Sequence, residues 1–203
     1  MEKSIYRLKP YKDQRLRRLA GWLLRHRVQA NQVTLAGFLL GLAAAGGLAI
    51  QRPLWGAGLI LLSVFMDMLD GTVARLQNGG TFSGKLYDAV SDRLVEIAWV
   101  GALVSVKTLD WWAWFLPAGS VLLLLARIAA HRAGLESSFV RVTRFERVTV
   151  IMATILLPWP VVTVPLYLAV TGGTLLSAGS VLMAVGRRGG RLSPAPAVIR
   201  REG

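Results

Sequence analysis

The residues best suited to chemistry lie between Met66 and Arg93, in the stretch MDMLDGTVARLQNGGTFSGKLYDAVSDR. Four aspartates stand there in two pairs, Asp67 with Asp70 at i,i+3 and Asp88 with Asp92 at i,i+4. If each half is helical, each pair shares one helix face. Asn78-Gly79-Gly80 between them has the composition of a turn, so two antiparallel helices would bring the four carboxylates together. Carboxylates crowded in this way must hold protons or a cation. An all-oxygen ligand set favours hard divalent ions such as magnesium, manganese or calcium.

The elements that must position these aspartates are apolar. The chain has 203 residues, 54% of them hydrophobic, and a mean hydropathy of +0.49. Apolar blocks of membrane-spanning length recur, which predicts an all-α, polytopic membrane protein. No charged stretch is long enough to build a separate soluble core. The absence of cysteine excludes disulfides and thiol chemistry. The basic, amphipathic N-terminus does not resemble a cleaved signal peptide. The net charge of +13 reads chiefly as Lys and Arg crowding cytoplasmic loops, with a share left for attraction to anionic lipids or phosphorylated substrates. Nucleic-acid binding would need a soluble basic module, which the sequence lacks.

Residues 1–10 read as irregular. From Tyr11 to Arg27, Leu16, Leu19, Ala20, Leu23 and Leu24 fall at helical spacing among arginines, with Trp22 beside them. This predicts an amphipathic juxtamembrane helix serving as a cytoplasmic anchor. Six predicted transmembrane helices follow, at roughly 33–50, 54–76, 82–106, 111–130, 144–159 and 161–185. Gly37-x-x-x-Gly41 in the first favours close packing inside the bundle. Tryptophans 111, 112, 114 and 159, with Pro158 and Pro160, mark interfaces and turns. The organisation is thus a cytoplasmic N-terminus at 1–30, a six-helix membrane domain at 31–186 and a disordered basic tail at 187–203.

Charge sets the orientation. Nine Lys or Arg precede the first span, Arg132 and Arg141 follow the fourth, and the tail holds five more Arg. The opposite loops hold only Arg52 and Lys107. Both termini and the aspartate site are therefore expected on the cytoplasmic side. Asp67 comes out roughly 20 Å along the second span from Leu54, in a hydrocarbon core roughly 30 Å thick. Asp92 lies roughly 21 Å from the outer face, Arg127 roughly 24 Å and Arg147 roughly 20 Å. Charges at the bilayer centre cost about 2.5–3.5 kcal/mol each on insertion scales, so such residues line polar cavities. A cytoplasm-facing cavity with a carboxylate wall and an arginine wall is expected.

Written out, the stretch is D-x2-D-G-x2-A-R-x8-G-x3-D-x3-D, at Asp67, Asp70, Gly71, Ala74, Arg75, Gly84, Asp88 and Asp92. This resembles the defining motif of the CDP-alcohol phosphotransferase family at every position. The six-helix hydropathy and basic start are similar to that family too. The resemblance implies transfer of a substituted phosphate from a CDP-linked lipid, such as CDP-diacylglycerol, to an alcohol, with release of CMP. It implies two divalent ions, magnesium or manganese, held by Asp67, Asp70, Asp88 and Asp92. Asp92 is also the implied general base on the acceptor hydroxyl. Gly71 and Ala74 would let the nucleotide approach the helix, and Arg75 and Gly84 would belong to the same CDP pocket, together with Asp67, Asp70 and Asp88. The family tendency implies a homodimer in a prokaryotic plasma membrane.

The acceptor is read from Arg127, His131, Arg132, Arg141, Arg144 and Arg147, which gather at the cytoplasmic ends of the fourth and fifth spans. Arginine is suited to bidentate phosphate recognition, whereas charge bias alone accounts for Arg132. A phosphorylated acceptor fits better than serine or choline. The stretch 144–147 resembles the segment opening the fifth helix of the phosphatidylinositol-phosphate synthases, which implies inositol 1-phosphate; glycerol 3-phosphate is the alternative. Asn31 and Thr34 resemble the family's N-x-x-T start, and helix capping accounts for them equally well. Intramembrane prenyltransferases also bind lipid diphosphates through aspartates, but their motifs lack the G-x2-A-R continuation. A cation transporter using the aspartates as an ion site leaves Gly71, Ala74, Arg75 and Gly84 without a role.

Overall fold

The structure, a computed structural model, describes residues 9–77, 82–133, 143–157 and 160–189. Among these the regular structure is entirely helical. The helices are α1 (Lys9–Arg25), α2 (Ala30–Ala49), α3 (Pro53–Leu76), α4 (Phe82–Ser105), α5 (Phe115–Arg132), α6 (Arg144–Leu156) and α7 (Pro160–Gly189), with a single 3-10 turn at Trp111–Trp114 leading into α5. Pro53 opens α3 where its missing N–H costs nothing.

The six apolar segments correspond to α2 through α7. Four of the helices, Ala30–Ala49, Pro53–Leu76, Trp111–Arg132 and Pro160–Arg187, are long and apolar enough to cross a membrane. The other two differ for separate reasons. α4 has the length but carries Asp88, Asp92, Arg93 and Glu96. α6 has 13 residues, roughly 20 Å of helix and short of a hydrocarbon core. Two boundaries shift. The irregular start gives way to helix at Lys9. The tail read as disordered from 187 is still helical through Gly189, because a lone glycine such as Gly186 costs only about 1 kcal/mol against alanine. Residues 1–8, the Asn78-Gly79-Gly80 turn, Arg141, the Pro158-Trp159 corner and the chain from 190 lie outside the described residues.

Packing follows the small residues. α2 lies against both α3 and α4, and α5 and α6 lie against α7. A methyl group on Gly41 would stand 2.5 Å from Val95 Cγ1, and one on Gly37 3.1 Å from Met66 Cβ. Trp99 Nε1 donates to the Gly41 carbonyl at 2.8 Å, and Ser63 Oγ to that of Gly37 at 2.8 Å. The Gly37-x-x-x-Gly41 face is thus spent inside the bundle, where it brings α3 and α4 together through α2. Ile60, Trp99, Val100, Leu103, Leu116, Ile151 and Tyr167 form the buried core beyond it. α1 does not turn its whole apolar stripe outward. Ala20, with Leu16, Leu23 and Leu24, packs on Val33, Leu69 and Val73, while Leu19 and Trp22 stay exposed.

Candidate active site

The helical period puts Asp67 and Asp70 on the α3 face that turns toward α2 and α4. Asp70 is buried, and Asp67 and Asp88 are half-buried. Asp67, Asp70 and Asp88 each present a carboxylate oxygen within 4.8 Å of the other two. Thr34, on the second turn of α2, donates its hydroxyl to Asp70 Oδ2 at 2.7 Å and lies 3.1 Å from the Ala30 carbonyl. Its task here is not capping. The α2 start is closed by Gln32, whose side chain accepts the Gln29 N–H at 3.0 Å. Asn31 is exposed on the first turn.

Asp92 lines a small cavity with the other three but is not among the three whose oxygens gather within 4.8 Å. Its Oδ1 pairs with Arg144 Nη1 at 2.7 Å, and the same nitrogen pairs with Asp67 Oδ2. Arg144 Nη1 is buried without a directed hydrogen bond, so the contact is ionic: a guanidinium between two carboxylates that would otherwise repel. Arg144 is held there by the start of α6. Thr143 and Glu146 form a capping box, with Thr143 N–H donating to Glu146 Oε2 at 2.6 Å and the Thr143 hydroxyl to the same oxygen. The T-x-x-E signature at 143–146 was open to sequence reading and marks where α6 begins.

One turn beyond Asp92 is a second ionic cluster. Glu96 is 4% exposed and Arg147 2%. Glu96 Oε2 accepts from Arg93 Nη1 at 2.7 Å and from Arg147 Nε at 3.3 Å, and Oε1 lies 3.1 Å from Arg147 Nε. Glu96 therefore pairs both with Arg93 and across to another helix. Arg93 is the residue that the motif alone did not single out. Removing one partner of such a buried pair costs about 3–5 kcal/mol, since the other charge is left alone.

Between these clusters is a cavity of about 200 Å³, lined by Asp88 and Asp92 together with Arg93, Arg127, Arg144 and Arg147, with Ser120 and Leu123 in the wall. Of the predicted acceptor arginines, Arg127, Arg144 and Arg147 reach it. His131, on the last turn of α5, is exposed and outside the lining.

The CDP-side residues lie on α3 and α4. Gly71 is half-buried, yet a methyl group there would meet nothing within 4 Å. Protein packing therefore does not require this glycine, which costs a helix about 1 kcal/mol against alanine; the space beside it is open to a ligand. Ala74 is half-buried, Arg75 is exposed and donates to Thr72 Oγ1 at 3.0 Å, and Gly84 is half-buried on the first turn of α4.

The carboxylates suit a hard divalent ion. Oxygens at roughly 2.1 Å from one ion stand up to roughly 4.2 Å apart, so the observed spread needs only a small closure. A second, small cavity of about 10 Å³ is lined by Thr34, Ser63, all four aspartates, Ser91 and Arg144. That is roughly the room for one water-sized body. The Thr34 hydrogen bond would orient Asp70 as a ligand of such an ion.

Known proteins resemble this chain in sequence and in fold. The sequence model of the CDP-alcohol phosphatidyltransferase family matches residues 27–185. The phosphatidylinositol phosphate synthase of Corynebacterium glutamicum is 38% identical over 96 residues, 46% of this chain and 41% of its own. The archaetidylinositol phosphate synthase of Methanothermobacter thermautotrophicus is 31% identical over 129 residues, 61% of this chain and 64% of its own. The chain thus spans less than two thirds of the length of these curated relatives. The crystal structure of Mycobacterium tuberculosis phosphatidylinositol phosphate synthase with CDP-DAG bound superposes with a TM-score of 0.56 at 23% identity, covering 93% of this chain and 98% of that one, so the two share a fold. With the family match extending over most of its length, the chain belongs to the CDP-alcohol phosphatidyltransferase family.

Proposed function

We propose that the protein transfers a phosphatidyl-type group from a CDP-linked lipid to inositol 1-phosphate, releasing CMP. The carrying observation is the cavity in which Asp88 and Asp92 face Arg127, Arg144 and Arg147. It offers a phosphorylated alcohol a cationic wall beside the carboxylates. The names of the relatives, phosphatidylinositol phosphate and archaetidylinositol phosphate synthases, favour inositol 1-phosphate over glycerol 3-phosphate.

Asp67, Asp70 and Asp88 would hold a divalent ion, magnesium or manganese, with Asp92 completing a two-ion set. When bound, the ions neutralise the diphosphate and stabilise the oxygen that leaves. The open space beside Gly71 admits the nucleotide, with Ala74, Arg75 and Gly84 in the same pocket. Arg127, Arg144 and Arg147 orient the acceptor phosphate, and His131 and Arg141 are further candidate contacts for it. The acceptor hydroxyl oxygen then forms a bond to the lipid-bearing phosphorus. The bond from that phosphorus to the bridging oxygen breaks, and its electron pair leaves with CMP. Asp92 takes the hydroxyl proton. Asn31, exposed at the α2 start, is a further candidate contact.

All six helices α2 to α7 cross the membrane in this reading. α4 carries its charges to the cavity. α1 lies at the cytoplasmic surface, and both termini and the site face the cytoplasm of a prokaryotic cell. A homodimer remains the family expectation, and Gly37 and Gly41 do not supply its face. The test is CMP release from CDP-diacylglycerol by purified protein, with magnesium or manganese, against inositol 1-phosphate, glycerol 3-phosphate, free inositol and serine. Release only with metal and inositol 1-phosphate is expected. Preference for glycerol 3-phosphate reassigns the acceptor, and silence across the panel refutes the enzyme reading.

A further inference from the structure

We infer that Glu96 is the positioning residue of the arginine wall, holding Arg93 and Arg147 so that their remaining N–H groups serve an anion in the cavity; this rests on the acceptor reading above. Four arginines border a space of about 200 Å³, and like charges so close must be held or they splay apart. Asp67 and Asp92 hold Arg144. Glu96 holds the pair from α4 and α6, and does so from one buried carboxylate. It engages Arg147 at Nε, the inner edge of the guanidinium, so the bonds found for Arg147 leave its two terminal nitrogens uncommitted. Arg93 binds Glu96 through Nη1, while its Nε is buried with no hydrogen-bond partner. Both side chains line the cavity. A planar guanidinium clamped on one edge presents the other edge in a fixed orientation, the geometry that bidentate phosphate binding needs. One carboxylate against two cations also leaves the cluster net positive toward its ligand.

A buried ion pair that only ties α4 to α6 would involve the same contacts, so the test must separate stability from positioning. Glu96→Gln keeps the shape but removes the charge and turns an amide donor toward Arg147 Nε, which only donates, so the hold on Arg147 is weakened most. Asp88 and Asp92 line the same cavity as Arg147. The expected result is a rise of at least about 10-fold in KM for inositol 1-phosphate, with KM for CDP-diacylglycerol changed less than about 2-fold. Glu96→Asp, which keeps the charge on a shorter arm, should recover part of the loss. In an Arg147→Ala background Glu96→Gln should add little, since the effect passes through Arg147. Isothermal titration of inositol 1-phosphate into the Mn2+-loaded wild type and both Glu96 variants repeats the comparison without turnover. If the wild type binds inositol 1-phosphate but releases no CMP, the reaction assignment fails while the Glu96 role is still decided by the binding constants. Equal rises in both KM values, a lower melting temperature with unchanged acceptor binding, or full additivity with Arg147→Ala would each overturn the inference.

Discussion

Asp67, Asp70, Asp88 and Asp92 reach the site from two helices that are neighbours in the chain, whereas Arg127 and Arg147 arrive from α5 and α6, and Glu96, which holds Arg147, from α4. The acidic side is a local construction. Its spacing repeats the helical period, and packing through α2 suffices to bring the two halves together. The basic side is built by tertiary contacts, each of which crosses between helices far apart in sequence. The difference teaches where tolerance should lie. A carboxylate set for a metal is fixed by ligand count, and losing a member removes function. A cationic wall has several contributors, and losing one should weaken recognition of one substrate.

The largest effect expected on this contrast comes from Asp92→Asn. Loss of a general base slows turnover by about 100- to 10,000-fold, read as kcat for CMP release, with CDP binding retained; an activity within 10-fold of wild type removes Asp92 from that role. On the opposite wall, Arg147→Ala should raise acceptor KM by about 10- to 100-fold, the worth of a charge-assisted hydrogen bond, and leave lipid KM nearly unchanged. Equal changes in both would erase the division between the walls. Thr34→Ala, which strips the outer hydrogen bond from Asp70, should weaken Mn2+ binding by about 10-fold, measured by titration without either substrate. The smallest effect sharpens the comparison most. Arg144 belongs to both walls, so Arg144→Gln should tighten Mn2+ binding a few-fold, by freeing Asp67 and Asp92 of a competing cation, while weakening acceptor binding. Weaker metal binding in that variant would mean that Arg144 supports the carboxylates and does not compete for them.

Much of this was legible before the fold was known. The positions of α2 to α7 follow from hydropathy, since a run of apolar residues long enough to form a helix leaves little choice of element. The level of Asp67, Asp92, Arg127 and Arg147 follows from rise per residue, and all four are found in the lining of one cavity or the other. Thr34 was ambiguous because a threonine near a helix start has the same local pattern whether it caps the helix or reaches a partner in another. The partner of Glu96 is hidden from local pattern for a similar reason. Its i,i+3 neighbour Arg93 supplies a sufficient local partner, and only the approach of α6 adds Arg147. His131 was grouped with the arginines by sequence proximity, but the turn of α5 carries it away from the lining.

The sequence by itself determined the helical class, the elements and the acidic motif with its chemistry, because those depend on periodicity, length and spacing within short stretches of chain. Which arginines join the aspartates around one cavity, that Asp92 shares Arg144 with Asp67, and that Glu96 serves two cations were decided only by tertiary structure. These depend on how α5 and α6 are rotated against α4, and that rotation is chosen by packing among helices whose contacts no local pattern records.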